Sequence, residues 1–167
     1  HFDLPYDFSA VTSVDIYRRI KPYRKLLSLE SMKQKSIEQF LGVSRKDRYS
    51  GGELISVYEK YLMTHEQSLY DDLILHNEDD LKGMPAILPI LNYPDLLEHA
   101  FTLKEQQIVD ESLADGQIRH LLKLTCQSPY SIPVPVQAAM PPARCRIEQD
   151  QVTFFVELTE GTLKHFY

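Results

Sequence analysis

Apolar residues recur at helical spacing along the first half of the chain and at alternate positions along the second. Ile16, Ile20 and the Leu26/Leu27 pair mark one side of a helix that Asp15 is placed to cap. Pro22 divides that helix, because its ring removes an i to i−4 hydrogen bond. Ile37, Phe40 and Leu41 form the buried side of a second helix, which Gly42 ends. Ser50-Gly51-Gly52-Glu53 has the order of a capping box, in which the serine hydroxyl takes a free amide and the glutamate reaches back to the cap residue. Behind it Leu54, Ile55, Val57, Tyr58, Tyr61 and Leu62 give a third helix a broad apolar stripe. Thr64-His65-Glu66-Gln67 repeats the cap logic and opens a fourth helix, along which Leu69, Leu73, His76 and Asp80 share one face.

The period changes after Lys82. Gly83, Pro85 and Pro89 break the helical pattern, and PAILPILNYPDLL reads as an apolar connector with one helical turn after Pro94. Strands are predicted over residues 99–103, 118–126, 143–148 and 151–158, with a last short run at 165–167. Glu148-Gln149-Asp150-Gln151 supplies a hairpin turn, and Val152, Phe154, Val156 and Leu158 alternate as one buried face. Prolines 133, 135, 141 and 142, with Pro129 just upstream, make residues 131–142 an edge, a loop or a polyproline stretch and exclude a central strand. At the other end HFDLPYDFSAVTSV reads as a loop with Pro5 as a turn residue and a strand candidate at 11–14. The fold class that follows is α/β, mainly helical over residues 1–84 and followed by a small β-rich module. The domain division falls at 1–90 and 91–167.

Length and composition are those of an ordinary soluble protein of one medium or two small domains. No apolar run approaches the roughly 20 residues needed to cross a bilayer, so no membrane partner is expected. Cys126 and Cys145 lack any metal or disulfide spacing, which points to a reducing, cytoplasmic setting. A net charge of −6 excludes a general phosphate-binding coat. Even so, ten of the eighteen Lys and Arg lie between Arg18 and Arg48, a strip that is either a solvated helical face or one that meets nucleic acid.

The chemistry centres on LILHNEDDLKGM, residues 73–84. Like charges one helical turn apart repel, so His76, Glu78, Asp79 and Asp80 are either solvated or share a cation. The i,i+4 spacing puts His76 and Asp80 about 6 Å apart on one surface. There an acid ligates Mg2+ or Mn2+ and a histidine orients or deprotonates an attacking water. An exposed charge cluster at a helix end has the same spacing. No Gly-rich phosphate loop, HExxH, GxSxG or nucleophilic cysteine pattern occurs. Tyr58/Tyr61 and Phe154/Phe155 read as core, and His65, His99, His120 and His165 lie too far apart in sequence to be grouped.

Three stretches taken in order, DIYRRIKPYRKLL, KQKSIEQFLGVSRKDRYSGGELISVYEKYL and LILHNEDDL, resemble the C-terminal half of a ribonuclease-H-like domain of the predicted bacterial 3′ to 5′ exonuclease type. The resemblance covers residues 1–90 and is nearest to a branch of firmicute-type proteins whose domain ends in a Tyr-Asn-x-x-Asp helix. It implies hydrolysis of nucleic-acid phosphodiesters, DNA or RNA, from a 3′ end. Four acids, written DEDD, there bind two divalent metals. Asp80 matches the last of these acids, and so implies a metal ligand. His76 stands where the family has a water-positioning Tyr, and Asp79 is the neighbour one residue out of phase. Asp15 matches a recurring acid at the head of the first helix, where a cap is the simpler role; Asp3 is a weaker match to the second motif. The chain opens on His1 and reads as a piece of a longer polypeptide, with the first two acidic motifs expected upstream. These residues alone are expected to be inactive as a nuclease, and a non-catalytic nucleic-acid or protein binding module is the competing reading.

Overall fold

Asp15 Oδ1 accepts the Arg18 amide at 3.1 Å and so starts α1, Ile16–Ile20. The computed structural model describes residues 9–159 and residue 161. The expectations for Asp3, Pro5 and residues 165–167 therefore lie outside the described residues. Residues 11–14, expected as a strand, carry no strand and are exposed. Pro22 does divide the first helix, since a 3-10 turn over Lys21–Tyr23 follows α1 directly. Then come α2, Gln34–Phe40, which Gly42 closes with a φ of 74°, and α3, Gly51–Thr64, which opens on a complete Ser50/Glu53 capping box.

The second expected box is absent. Thr64 Oγ1 donates to the Lys60 carbonyl, and Glu66, with no side-chain cap bond, precedes α4, Gln67–Ala86. Gly83 and Pro85 do not end α4, because the Ile87 amide still reaches the Gly83 carbonyl at 3.0 Å. The expected connector is itself helical, a 3-10 turn at Leu88–Leu91 and then α5, Asn92–Glu98. The apolar stripe of α3 is wider than the face α4 covers: Leu54 and Val57 are buried, whereas Ile55, Tyr58 and Leu62 are exposed. Tyr58 is thus not core.

Five antiparallel strands follow in the order β1-β2-β5-β4-β3: β1 Thr102–Ser112, β2 Ile118–Gln127, β3 Val136–Met140, β4 Ala143–Glu148 and β5 Gln151–Glu157. The β4–β5 hairpin turns at Gln149, φ 53°, where the sequence places it. The proline-rich segment supplies β3 at the sheet edge, where a residue without an amide proton is tolerated. Cys126, Ile132, Ile147, Val152 and Val136 join Ile20, Leu27, Ile37, Ile90, Tyr93 and Leu96 in one buried cluster, so helices and sheet share a core on both sides of residue 90. Phe154 packs on that cluster, but Phe155 sits on the opposite face under the Arg144 guanidinium. Arg19, bonded to Asp95 at 3.0 Å and Glu98 at 2.6 Å, ties α1 to α5. Among the described residues no helix is long and apolar enough to cross a membrane.

Candidate functional site

Helix α4 passes over α2 at Gly83, and its side chains one turn earlier meet a loop, residues 43–50, that links α2 to α3. The close approach requires glycine: a Cβ there would stand 1.8 Å from Glu38 Oε1. The loop is held by Asp79, whose Oδ2 accepts the amides of Lys46 at 2.7 Å and Asp47 at 2.8 Å. Chiefly the Asp47 amide, opposed by burial and aided by the Lys46 amide, keeps the Asp79 carboxyl below its usual pKa. That bonding gives Asp79 a structural task, the anchoring of the loop to α4.

His76 and Asp80 come together as their spacing requires, with Nε2 3.3 Å from Asp80 Oδ2. The imidazole is 15% exposed and the Asp80 side chain 45%. Sequence reasoning missed three further members. Asp47, 2% exposed, places Oδ2 3.1 Å from His76 Nδ1 and Oδ1 2.8 Å from Lys35 Nζ. Arg45 bonds Glu38 through Nη1 at 2.9 and 3.1 Å, and Nη2 bonds Asp47 Oδ2 and, at 2.6 Å, Asp80 Oδ1. Glu38 is almost wholly buried. Burial alone would lower the Arg45 pKa, but the bonds to Asp47, Glu38 and Asp80 outweigh it and hold the guanidinium above its usual value. Burial likewise pushes the Asp47 carboxyl up, and the bonds from Lys35 and Arg45 bring its net shift down.

The ligand atoms of Asp47, His76 and Asp80 all lie within 4.8 Å of one another. Four carboxyl groups, Glu38, Asp47, Asp79 and Asp80, face one guanidinium and one ammonium, so the cluster has room for further positive charge. Both oxygens of Asp47 are already taken by Lys35, Arg45 and His76. The half-exposed Asp80 is the carboxylate that can turn an oxygen to a cation. A hard divalent ion held by one or two carboxylates and otherwise by water fits that donor set.

Nothing in the sequence beyond the charged run RKDR signalled Arg45 and Asp47. Their contacts with α4 join positions 29 and 35 residues apart.

Residues 2–92, just over half of the chain, match the family model of the RNase H superfamily. No curated protein and no solved structure matches the chain.

Proposed function

The chain belongs to the RNase H superfamily, and from that premise we propose that it carries the last acidic motif of a metal-dependent 3′ to 5′ exonuclease of the bacterial DEDD type. Residues 1–90 are then the C-terminal half of the nuclease domain, and residues 91–167 carry the β-rich part, whose sheet packs on the same core. The observation that carries this reading is the His76/Asp80 pair, an imidazole nitrogen 3.3 Å from a half-exposed carboxylate on one face of α4. Asp80 is the residue to hold Mg2+ or Mn2+. Such an ion supplies charge to the phosphodiester and acidifies water. His76 stands in the place of the family's Tyr and accepts a proton at Nε2 from the attacking water. Asp79 and Glu38 keep the loop and α2 against α4, so that both groups face the same space. The substrate is the 3′ end of DNA or RNA, and the setting we propose is the cytoplasm, where both free cysteines stay reduced.

A second reading, a nucleic-acid or protein binding module on a nuclease-like scaffold, rests on Arg45. Its guanidinium bonds Asp80 Oδ1 at 2.6 Å and supplies positive charge where a metal would.

The full-length protein with Mn2+ should shorten a 3′-labelled single strand, and Asp80→Asn should abolish the reaction. Equal activity in the mutant would remove Asp80 from the mechanism. Strand binding with no shortening, alike in both proteins, selects the binding module.

A further inference from the structure

We infer that Asp47 is a positioning residue for His76, one that fixes which ring nitrogen is free to take a proton. The inference rests on the exonuclease reading for its catalytic meaning, but its geometry stands apart from it. An ionised carboxylate only accepts hydrogen bonds, so a ring nitrogen 3.1 Å from Asp47 Oδ2 is the one that donates. Nδ1 therefore bears the proton, and in the neutral ring Nε2 is the bare nitrogen. Nε2 is also the nitrogen that faces Asp80, 3.3 Å from Oδ2. In the neutral ring this bare nitrogen is the one that can take a proton from a water bound beside Asp80.

Asp47 is well built for this task. Its carboxylate is 2% exposed and cannot swing: Lys35 holds Oδ1, Arg45 holds Oδ2, and Asp79 pins its amide at 2.8 Å. The imidazole has one further constraint, its place on α4. Ring orientation is thus set from two sides, by the helix and by the loop. The same logic, a buried carboxylate that sets the tautomer of a catalytic imidazole, operates where an Asp supports a His base in hydrolases. Here it is assembled from a loop residue and a helix residue 29 positions apart.

Nitrogen-15 NMR of His76 in the full-length protein tests this, recorded at a pH high enough for one ring nitrogen to be bare. The wild type should show a protonated Nδ1 and a bare Nε2. Lys35→Met, which disturbs the same cluster but leaves the Nδ1 acceptor in place, should keep that pattern. Asp47→Ala should lose it, with the proton moving to Nε2. A wild-type ring with a bare Nδ1 overturns the inference whether or not any variant folds, and so does a folded Asp47→Ala protein that keeps the wild-type pattern. In the Mn2+ assay Asp47→Ala should lower kcat by about 10²- to 10⁴-fold with little change in KM, the range that a correctly placed general base supplies. If the wild type shortens no strand yet shows the expected tautomer, the exonuclease reading fails and the positioning role survives. If the wild type is active and Asp47→Ala equals it, the positioning role fails alone.

Discussion

Gly83→Ala adds one methyl group at the crossing of α2 and α4, and two opposed effects decide its sign. Alanine in a helix interior is worth about 1 kcal/mol over glycine. The new Cβ would, however, stand 1.8 Å from Glu38 Oε1 and 2.5 Å from Gln34 Nε2. The end of a glutamate often moves aside at little cost. Here it cannot, because Oε1 accepts Gln34 Nε2 at 2.8 Å and Arg45 Nη1 at 3.1 Å, and the whole side chain is buried. Overpacking costs about 1–3 kcal/mol and the loss of a buried ion-pair partner about 3–5 kcal/mol. Since Oε2 keeps its 2.9 Å bond to Arg45, the rupture is partial. A cost of about 3 kcal/mol less the propensity gain of about 1 leaves a net loss of about 2 kcal/mol. Urea unfolding followed by circular dichroism should show the midpoint falling with an unchanged m value. A midpoint that rises, as propensity alone would dictate, refutes the close approach of Glu38 to α4.

Arg45→Met leaves Glu38 and Asp47 buried without their guanidinium and should cost about 3–5 kcal/mol; a double-mutant cycle with Glu38→Leu should recover part of this, and strict additivity would show the two to be uncoupled. Tyr93→Phe should cost about 1–3 kcal/mol in denaturant titrations, because the hydroxyl both donates to the Val134 carbonyl at 2.7 Å and accepts its amide at 3.0 Å in the core; an unchanged midpoint would show that water replaces it. The acid limb of stability should involve Asp79 and Asp47, whose carboxyls are held below the ordinary value of 3.8. Such groups bind fewer protons folded than unfolded, so their contribution is full above that value and is lost as pH falls through their folded pKa. Asp79→Asn should therefore flatten the slope of urea midpoint against pH below about pH 4, and an unaltered slope would refute the role of the loop amides.

What could be read in advance was local. Asp15 and the Ser50/Glu53 pair cap their helices because each needs only partners within three residues. Thr64 shows the limit of that logic: its hydroxyl donates to the Lys60 carbonyl and accepts the Glu66 amide at 3.4 Å, and His65 turns left-handed at φ 51°, so the expected box closes α3 instead of capping α4. β1 was placed too early because Lys104, Glu105, Gln106 and Gln107 lie on an edge strand exposed on both faces, which leaves no alternation to detect. His76 and Asp80 share a face by helix geometry alone. Their partners in space do not follow from spacing, since RKDR between two helices has the composition of a solvated strip, whereas Arg45 and Asp47 are among its least exposed side chains.

Burial of those two charges raises the question of what they do for the protein. An apolar replacement of a buried ion-pair network is often as stable or more so, so net stability is a weak reason for it; fixed geometry is a better one. In this chain the bonds run in series, from Gly83, which admits Glu38, through Glu38 to Arg45, from Arg45 to Asp47, and from Asp47 to His76. Each link has few alternative partners within the buried space, so a shift at one end is passed to the next group rather than absorbed by solvent. The fit of α2 against α4 thereby governs the aim of an imidazole that neither touches Gly83 nor lies on α2. A surface pair of His and Asp at i,i+4 has no such chain behind it and keeps both side chains free to reorient.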